Sequence, residues 1–235
     1  MSVDYKVLVK NLKEDVIDLN YHKMCQSLEN IEMDESIEIL FRYYRKHGFP
    51  HYKIRDEEKH EQMRKLQNFK HEHIIDGDEV TQTMNGLRLA WSYFPQFWDV
   101  PCGNAKTTPM QNFNDDDKLR EVIRKTIKWH FNHSDKPHWT ENRFRQNLKI
   151  YGGTQTVSNF RPTAAKYIYE TYGGDGVVWD MSCGWGGRLL GALSSNRIKK
   201  YIGTEPSTKT FEGLNKIKEE FSYLCLLYTS DAADE

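Results

Sequence analysis

The sequence lacks any long hydrophobic run, and this absence bears on where the protein works. A helix that crosses a membrane needs roughly 18 or more consecutive apolar residues, and no run in the 235 residues approaches that length. The first 20 residues carry charges throughout and contain no apolar segment of the kind that secretory signals need. We therefore expect a cytoplasmic protein without a membrane partner.

Cysteine is scarce, and its spacing argues against two further classes of protein. The four cysteines lie far apart and form no CxxC pair, which argues against a disulfide framework and against a zinc site built from thiolates. The nine histidines lack both a companion cysteine pair and an HExxH motif. We therefore predict reduced thiols and no metal site.

Neither sign of charge dominates, because 33 basic residues stand against 34 acidic ones. Apolar residues make up 38% of the chain, which is enough to form a core. This composition excludes collagen, coiled coils and low-complexity disorder.

The last eleven residues, 225–235, stand apart from the rest of the chain. They read CLLYTSDAADE and resemble the translation of a transposase-type sequencing adapter. They also interrupt a helical pattern that has no stop signal. We therefore expect residues 225–235 to be a non-native tail and the preceding chain to be a fragment of a longer gene product.

Residues 1–150 predict a mainly helical region. Apolar residues recur at helical spacing over 34–47 and, more thinly, over 56–69. A short helix is expected before Pro95, and Asn114 is expected to cap a longer helix whose first turn is acidic. A pair of glycines just after residue 150 marks the end of this region.

A basic stretch runs from Lys118 to Lys149, with nine basic residues against three acidic ones. It has two interpretations. The residues can form a solvated helix face, or they can neutralise nucleic-acid phosphates while aromatic rings stack on an unpaired base. In the second case the candidate phosphate contacts are Lys125, Lys128, Arg143 and Arg145, and the candidate stacking residues are Trp129, Phe131, Trp139 and Phe144.

Helices and strands alternate in the next region, residues 151–224. Helices are expected over 163–172, 187–195 and 207–221, and strands over 177–180 and 201–204. Two strands separated by one helix imply a parallel pair joined by a crossover. We therefore predict an α/β fold that opens a doubly wound sheet, with an unpaired edge that leaves this part marginally stable.

A glycine-rich turn follows the first of these strands. Asp180 ends the strand, and the turn into the next helix contains Gly184, Gly186 and Gly187. Glycines allow positive backbone torsions there, and amides at the start of the helix can face a ligand. Glu205 ends the second strand, where an acid in a doubly wound sheet can bond a ribose diol. These residues predict a crevice for a cofactor that contains a nucleoside.

The sequence of the turn also bears on the identity of that cofactor. A dinucleotide-binding GxGxxG motif that starts at Gly184 needs a third glycine where Leu189 stands. A pyrophosphate would also lie close to the carboxylate of Asp180. S-adenosylmethionine has no phosphate and carries a sulfonium and an ammonium, so an acid beside the turn helps its binding. The pattern therefore favours S-adenosylmethionine.

Two longer strings extend this interpretation. They are DMSCGWGGRLLGAL from residue 180 and YIGTEPSTKTFEGL from residue 201, and both follow the segment VSNFRPT at 157–163. Together they are similar to phage and bacterial DNA methyltransferases that methylate exocyclic amino groups. The resemblance covers about residues 135–224. It implies a Rossmann-like, S-adenosylmethionine-dependent enzyme that modifies N6 of adenine or N4 of cytosine in DNA.

The resemblance also implies roles for individual residues. Asp180, Gly184 and Gly186 match the motif around the methionine part of the cofactor, and Glu205 matches the acid that holds the ribose hydroxyls. Residues 160–162 match a segment that closes over the methionine end, and the residue after Glu205 lies beside the adenine. The implied cofactor-binding set is Phe160, Arg161, Pro162, Asp180, Ser182, Cys183, Gly184, Gly186, Glu205 and Pro206.

The catalytic element of this family is absent from the sequence. Amino-methyltransferases bind the flipped base with a Ser/Asp/Asn-Pro-Pro-Tyr/Phe loop after a later strand, and the chain has no Pro-Pro pair. We therefore expect half of a cofactor site, no catalytic residues and no activity from this fragment. The alternatives are an RNA or protein methyltransferase, or a non-catalytic DNA-binding module whose Rossmann part is only a scaffold.

Overall fold

A computed structural model describes residues 32–70, 74–77, 79–81, 83–133, 139, 141–174, 176–224 and 226–231. The chain forms two compact units, and neither is a continuous stretch of sequence. The first comprises Met1–Pro50 and Trp98–Val157, and the second comprises His51–Phe97 and Ser158–Glu235. Residues 51–97, which the sequence analysis grouped with the N-terminal region, therefore belong to the unit that contains the glycine-rich turn.

The elements in chain order are α1 (Glu32–His47), α2 (Asp56–Gln67), β1 (Ile75–Asp76), β2 (Glu79–Val80), α3 (Leu87–Ser92), α4 (Pro109–Asn114), α5 (Asp116–His133), α6 (Glu141–Ile150), α7 (Pro162–Tyr172), β3 (Val177–Asp180), α8 (Gly187–Ser194), β4 (Lys200–Glu205), α9 (Thr208–Glu220) and β5 (Leu226–Asp231). A 3-10 helix, Pro95–Asp99, follows α3. For the helices and strands between residue 160 and β5, the predicted bounds differ from the observed bounds by at most one residue. The hairpin of β1 and β2 was not predicted, because two-residue strands leave no periodic pattern.

The first unit packs α1, α4, α5 and α6 around an aromatic core. Tyr44 of α1 is buried and stacks on Phe144 of α6, with 4.3 Å between the ring centroids. The indole Nε1 of Trp139 donates a hydrogen bond to the Tyr44 hydroxyl oxygen at 2.9 Å. A buried ring with a satisfied polar atom fixes the helices at this point.

The cap of α5 differs from the prediction. Asn114 is the last residue of α4, which begins with a capping box at Thr108. The carboxylate of Asp115 accepts a hydrogen bond from the backbone N–H of Lys118 at 2.9 Å, so Asp115 caps α5. The predicted cap at Asn114 is therefore wrong by one residue, because a short helix that the pattern did not reveal ends there.

The second unit contains a parallel sheet with the order β3-β4-β5 among the described residues. Helix α8 packs on α7, α2 and α3, and α9 packs on β4 and β5. The core joins Leu66 of α2, Phe94, Leu190 of α8, Tyr201 of β4 and Leu214 of α9. Helices packed on a parallel sheet make this an α/β arrangement, and a helical region precedes it in the chain, as predicted.

Strand β5 comes from the segment that the sequence analysis set aside. It pairs in parallel with β4 along the whole of that strand, from Leu226 opposite Lys200 to Asp231 opposite Glu205. The expectation that the sheet ends after two strands is therefore one strand short. The edge of β4 offers unpaired backbone groups, and the residues from Leu226 to Thr229 include aromatic and β-branched types that favour strands. Cys225 and residues 232–235 of the same segment lie outside the described residues.

Candidate functional site

The glycine turn, residues 181–186, joins β3 to α8. Gly184 and Gly186 have φ angles of +58° and +75°, in the left-handed region where a side chain is strained. Space is also short at Gly186, where a Cβ would lie 2.8 Å from Ile217 Cδ1 and 3.0 Å from Phe94 Cε2. The expectation of positive torsions at this turn is confirmed.

Asp180, at the end of β3, accepts hydrogen bonds from three donors. Arg188 Nε donates to its Oδ2 at 2.7 Å, and the Tyr201 hydroxyl donates to the same oxygen at 2.6 Å. The backbone N–H of Ser182 donates to Oδ1 at 3.2 Å. A carboxylate offers about four acceptor positions, two on each oxygen. Oδ2 therefore has both positions filled, and about one position on Oδ1 remains for a ligand.

Glu205, at the end of β4, contacts the same turn. It is 7% exposed, and its Oε2 accepts a hydrogen bond from the Gly184 N–H at 2.9 Å. Its Oε1 accepts a second bond from the Ser207 N–H at 3.1 Å. The carbonyl of Thr204 accepts a bond from the Cys183 N–H at 3.0 Å and ties the turn to β4 once more. Both predicted acids thus meet the glycine turn from adjacent parallel strands.

Arg188 changes the electrostatics that the sequence suggested. Its guanidinium forms an ion pair with Asp180, and its Nη2 donates to the carbonyl of Ser182. Burial lowers the pKa of Arg188, but the hydrogen bond and the charge of Asp180 raise that pKa by more, so the group stays protonated. The site therefore presents an Asp–Arg pair instead of a lone carboxylate. Arg188 therefore reduces the repulsion that Asp180 would exert on an anionic ligand group.

The segment before α7 lies against the glycine turn. Asn159 Nδ2 donates to the carbonyl of Trp185 at 2.7 Å, and the carbonyl of Phe160 occupies the place that a Cβ on Gly187 would take. Phe160 is 40% exposed, and Arg188 Cζ lies 5.6 Å from the centroid of its ring. Phe160 therefore flanks the turn.

Arg161 and Pro162 make contacts away from the turn. Arg161 Nη1 donates to Met84 Sδ at 3.0 Å. Pro162 is buried as the first residue of α7, and its carbonyl oxygen would lie 2.9 Å from a Cβ on Gly191 of α8. Pro162 thus takes part in the close packing of α7 on α8, and we assign it a structural role.

Cys183 is 2% exposed. Burial raises the pKa of its thiol to about 11, and the charge of Asp180 adds to the rise. Its Sγ fills the space that a Cβ on Gly203 of β4 would need. Cys183 is therefore a packing residue, whereas Ser182 and Pro206 are exposed at the ends of their strands.

The predicted site residues include neither Arg188 nor Tyr201, the two side chains that hold Asp180. Arg188 stands inside the quoted motif, eight residues after Asp180. Tyr201 shares a face of β4 with Glu205, because side chains alternate along a strand, and that alternation is the signal that could have identified it. Burial raises the pKa of Tyr201 above its ordinary value, and Cys183 and Asp180 add to the rise, so the hydroxyl keeps its proton.

Aromatic rings from residues 51–97 pack beside the turn. The ring of Trp185 lies 6.2 Å from Trp91 and 5.8 Å from Phe94, between centroids. Trp91 in turn stacks on Phe97 at 4.0 Å. Trp185 thus anchors the glycine turn to Trp91 of α3 and to Phe94, which follows that helix.

The basic stretch lies in the first unit, where three of its four candidate phosphate contacts, Lys125, Arg143 and Arg145, already have partners within the protein. Lys125 forms an ion pair with Glu121, with 2.7 Å between Nζ and Oε1. Arg145 is 7% exposed and donates to the Pro50 carbonyl at 2.8 Å. We therefore remove Arg145 from the nucleic-acid set. Lys128 is exposed, and the guanidinium of Arg143 lies over the ring of Trp129 at 3.7 Å.

Acidic residues of α1 pair with other members of the basic stretch. Arg120 contacts Glu38 at 2.5 Å and Arg124 contacts Asp34 at 2.8 Å. The charge of this surface is therefore lower than a count over residues 118–149 indicates. Among the proposed stacking residues, Trp139 and Phe144 are fully buried in the core. The side chain of Phe131 lies outside the described residues.

No protein-family model, no curated protein and no solved structure matches this chain. The motifs and the geometry of the glycine turn are therefore the basis for a functional assignment. In the part of the chain that the structure describes, no helix combines the length and the apolar character needed to cross a membrane. Within the same residues, no three His, Cys, Asp or Glu side chains come together in a way that could hold a metal ion.

Proposed function

We propose that the glycine turn binds S-adenosylmethionine and that the chain belongs with the methyltransferases that modify exocyclic amino groups of adenine or cytosine in DNA. One observation carries the proposal. Asp180 and Glu205 come from adjacent parallel strands and contact the same left-handed glycine turn. A sulfur nucleoside needs an acceptor for its ribose hydroxyls and an acid near its cationic end, and these two residues supply both.

Glu205 is assigned to the ribose. Each of its oxygens accepts one hydrogen bond within the protein, which leaves a second acceptor position on each. Two neighbouring hydroxyls can donate to one such carboxylate, as they do in doubly wound sheets. The low exposure of Glu205 strengthens these bonds relative to bonds in water.

The parallel pairing of β3 and β4 supports a Rossmann-like domain. Two adjacent parallel strands with one helix, α8, between them in the chain form the unit that a doubly wound sheet repeats. Ligands of such sheets bind beyond the carboxyl ends of the strands, which is where Asp180 and Glu205 lie.

Bound S-adenosylmethionine would supply an electrophilic methyl group. The residues of this chain would hold the two ends of the cofactor, Glu205 at the ribose and the Asp180 region at the methionine. Since the sequence has no Pro-Pro loop to bind a flipped base, we expect this chain to bind the cofactor without transferring its methyl group.

Isothermal titration of the chain with S-adenosylhomocysteine tests the proposal. We expect saturable heat from the parent, and a loss of about tenfold or more in affinity for Glu205→Gln, because the amide offers one acceptor oxygen instead of two. Glu219→Gln is the matched control, since Glu219 is exposed on α9. Heat at the background level with the folded parent would overturn the proposal and would favour a scaffold without a cofactor.

A dinucleotide is the second candidate, and Arg188 is the reason. Its ion pair neutralises Asp180 and so removes the repulsion that a pyrophosphate would meet. Leu189, which is fully buried, still stands where the third glycine of the dinucleotide motif is needed. Titration with NADH under the same conditions separates the two ligands, and binding of NADH in preference to S-adenosylhomocysteine would support the dinucleotide.

DNA as the substrate rests on the family resemblance and on exposed cations of the first unit. A fluorescein-labelled duplex followed by anisotropy tests this part. Lys128→Glu should weaken binding about threefold or more at low salt. Lys216→Glu should not weaken it, because Lys216 is exposed on α9 of the second unit. Equal affinities for both variants would favour a solvated helix face, and with it an acceptor other than DNA.

A further inference from the structure

The ion pair between Asp180 and Arg188 complements the two charges of a free amino acid. Asp180 precedes the glycine turn and Arg188 follows it, and 2.7 Å separates the carboxylate Oδ2 from the guanidinium Nε. The methionine part of the proposed cofactor carries an ammonium and a carboxylate on one carbon. A lone acid would attract only the ammonium, whereas an acid and a cation side by side can receive both groups.

We propose that Arg188 binds the α-carboxylate of the cofactor and thereby selects ligands that carry an intact amino-acid end. This inference rests on the proposed function, because it names a partner for one group of that cofactor. Arginine suits the role because its planar fork matches a carboxylate and its charge does not titrate in the working pH range.

Arg188 has donor capacity left for such a ligand. Its Nε bonds to Asp180 and its Nη2 bonds to the carbonyl of Ser182, so these contacts use two of the five N–H donors. The Nη1 nitrogen takes part in neither contact, and the side chain is 30% exposed. The guanidinium is therefore held in place by the protein and still offers donors to solvent.

The neighbours of Arg188 hold it ready for binding. Tyr201 and Ser182 fix the carboxylate of Asp180, and Asp180 in turn fixes the guanidinium. The ring of Phe160 lies beside the guanidinium, at 5.6 Å from Cζ. A charged side chain that is already oriented loses little conformational freedom on binding, which favours affinity. The remaining acceptor position of Asp180 is on Oδ1, where an ammonium can donate.

Two ligands that differ only in the carboxylate test the proposal by isothermal titration. They are S-adenosylhomocysteine and its decarboxylated form, which keeps the amine. The parent should bind S-adenosylhomocysteine about tenfold or more tightly than the decarboxylated ligand. Arg188→Ala should lose this preference or reverse it, because an unpaired Asp180 attracts the amine alone. Arg197→Ala is the matched control, since Arg197 is exposed in the same unit, and it should behave as the parent does.

Arg188→Lys is a second variant that keeps the test valid if Arg188→Ala fails to fold. It keeps the positive charge beside Asp180 and should retain a reduced preference for the carboxylate. The role of Arg188 would be overturned if the parent bound both ligands equally, or if Arg188→Ala weakened the binding of both by the same factor. Neither result would contradict the proposed function. A parent that binds neither ligand would overturn the proposed function and this inference with it.

Discussion

Replacing Tyr201 by Phe removes one oxygen from the centre of the second unit and nothing else. The hydroxyl donates to Asp180 Oδ2 at 2.6 Å, and the ring is completely buried. Because Phe keeps the ring, the change leaves no cavity of consequence, and the loss measures the hydrogen bond to a charged acceptor. Such bonds contribute about 1.5–3 kcal/mol. Asp180 keeps two other donors, so we expect a loss near the lower limit, about 1.5–2 kcal/mol.

Native-state hydrogen exchange of the β4 amides is the suitable assay. The chain has two compact units, and a single global transition would mix their stabilities. The free energy of opening at β4 should fall by the amount given above in Tyr201→Phe. Tyr172→Phe is the matched control, because Tyr172 is 74% exposed in the same unit and its variant should stay within about 0.5 kcal/mol of the parent.

The result that would refute this reasoning is equal exchange in the two variants. In that case the Tyr201 hydroxyl would contribute nothing to the stability of the unit. The network that orients Asp180 and Arg188 would then lack the support assigned to it here.

Three further predictions concern the turn and the sheet. Gly187→Ala should destabilise the second unit by about 3 kcal/mol, since a backbone carbonyl occupies the place of its Cβ. Gly176→Ala is the control, because an added Cβ there meets only an ordinary contact distance. Equal free energies of opening at the β4 amides in the two variants would contradict this. Cys183 should react with iodoacetamide about tenfold or more slowly than Cys102 at about pH 8, because it is buried and its pKa is raised to about 11. Similar rates in peptide mass spectra would count against that burial. Deleting residues 225–235 should speed amide exchange in β4 and leave the first unit unchanged. If β4 exchanges as before, β5 contributes no protection.

Local periodicity was enough to predict the elements of the second unit from α7 to α9. The apolar run of β3 and the helical spacing in α7, α8 and α9 involve residues that are close in the chain. Patterns of this kind can be recognised in a single sequence. The two acids were also placed correctly at the glycine turn, because parallel strands that are adjacent in sequence end at the same edge of a sheet.

Pairing between distant residues could not be predicted in the same way. The acids that neutralise the basic stretch lie in α1, and Arg120 is 82 residues away from its partner Glu38. The burial of Arg145 depends likewise on the carbonyl of Pro50, which is 95 residues away. A count of charges along one segment contains no information about partners of this kind.

Strand β5 and the Asp–Arg pair were missed for a different reason. The residues of β5 were set aside on their likeness to an adapter, although an unpaired edge of β4 accepts any segment that can extend along it. Arg188 stood in the motif, but whether its side chain points back to Asp180 depends on the start of α8 and on Tyr201. Neither the composition nor the spacing of the turn specifies that orientation.

The central claim is that the glycine turn binds S-adenosylmethionine, and an amide NMR titration tests it most directly. When S-adenosylhomocysteine is added to the 15N-labelled chain, the amide signals of Gly184, Trp185 and Gly186 should shift and saturate together. The signals of α5, in the other unit, should stay in place. If the turn signals remain unchanged at a large excess of the ligand, the turn does not bind it and the assignment is contradicted.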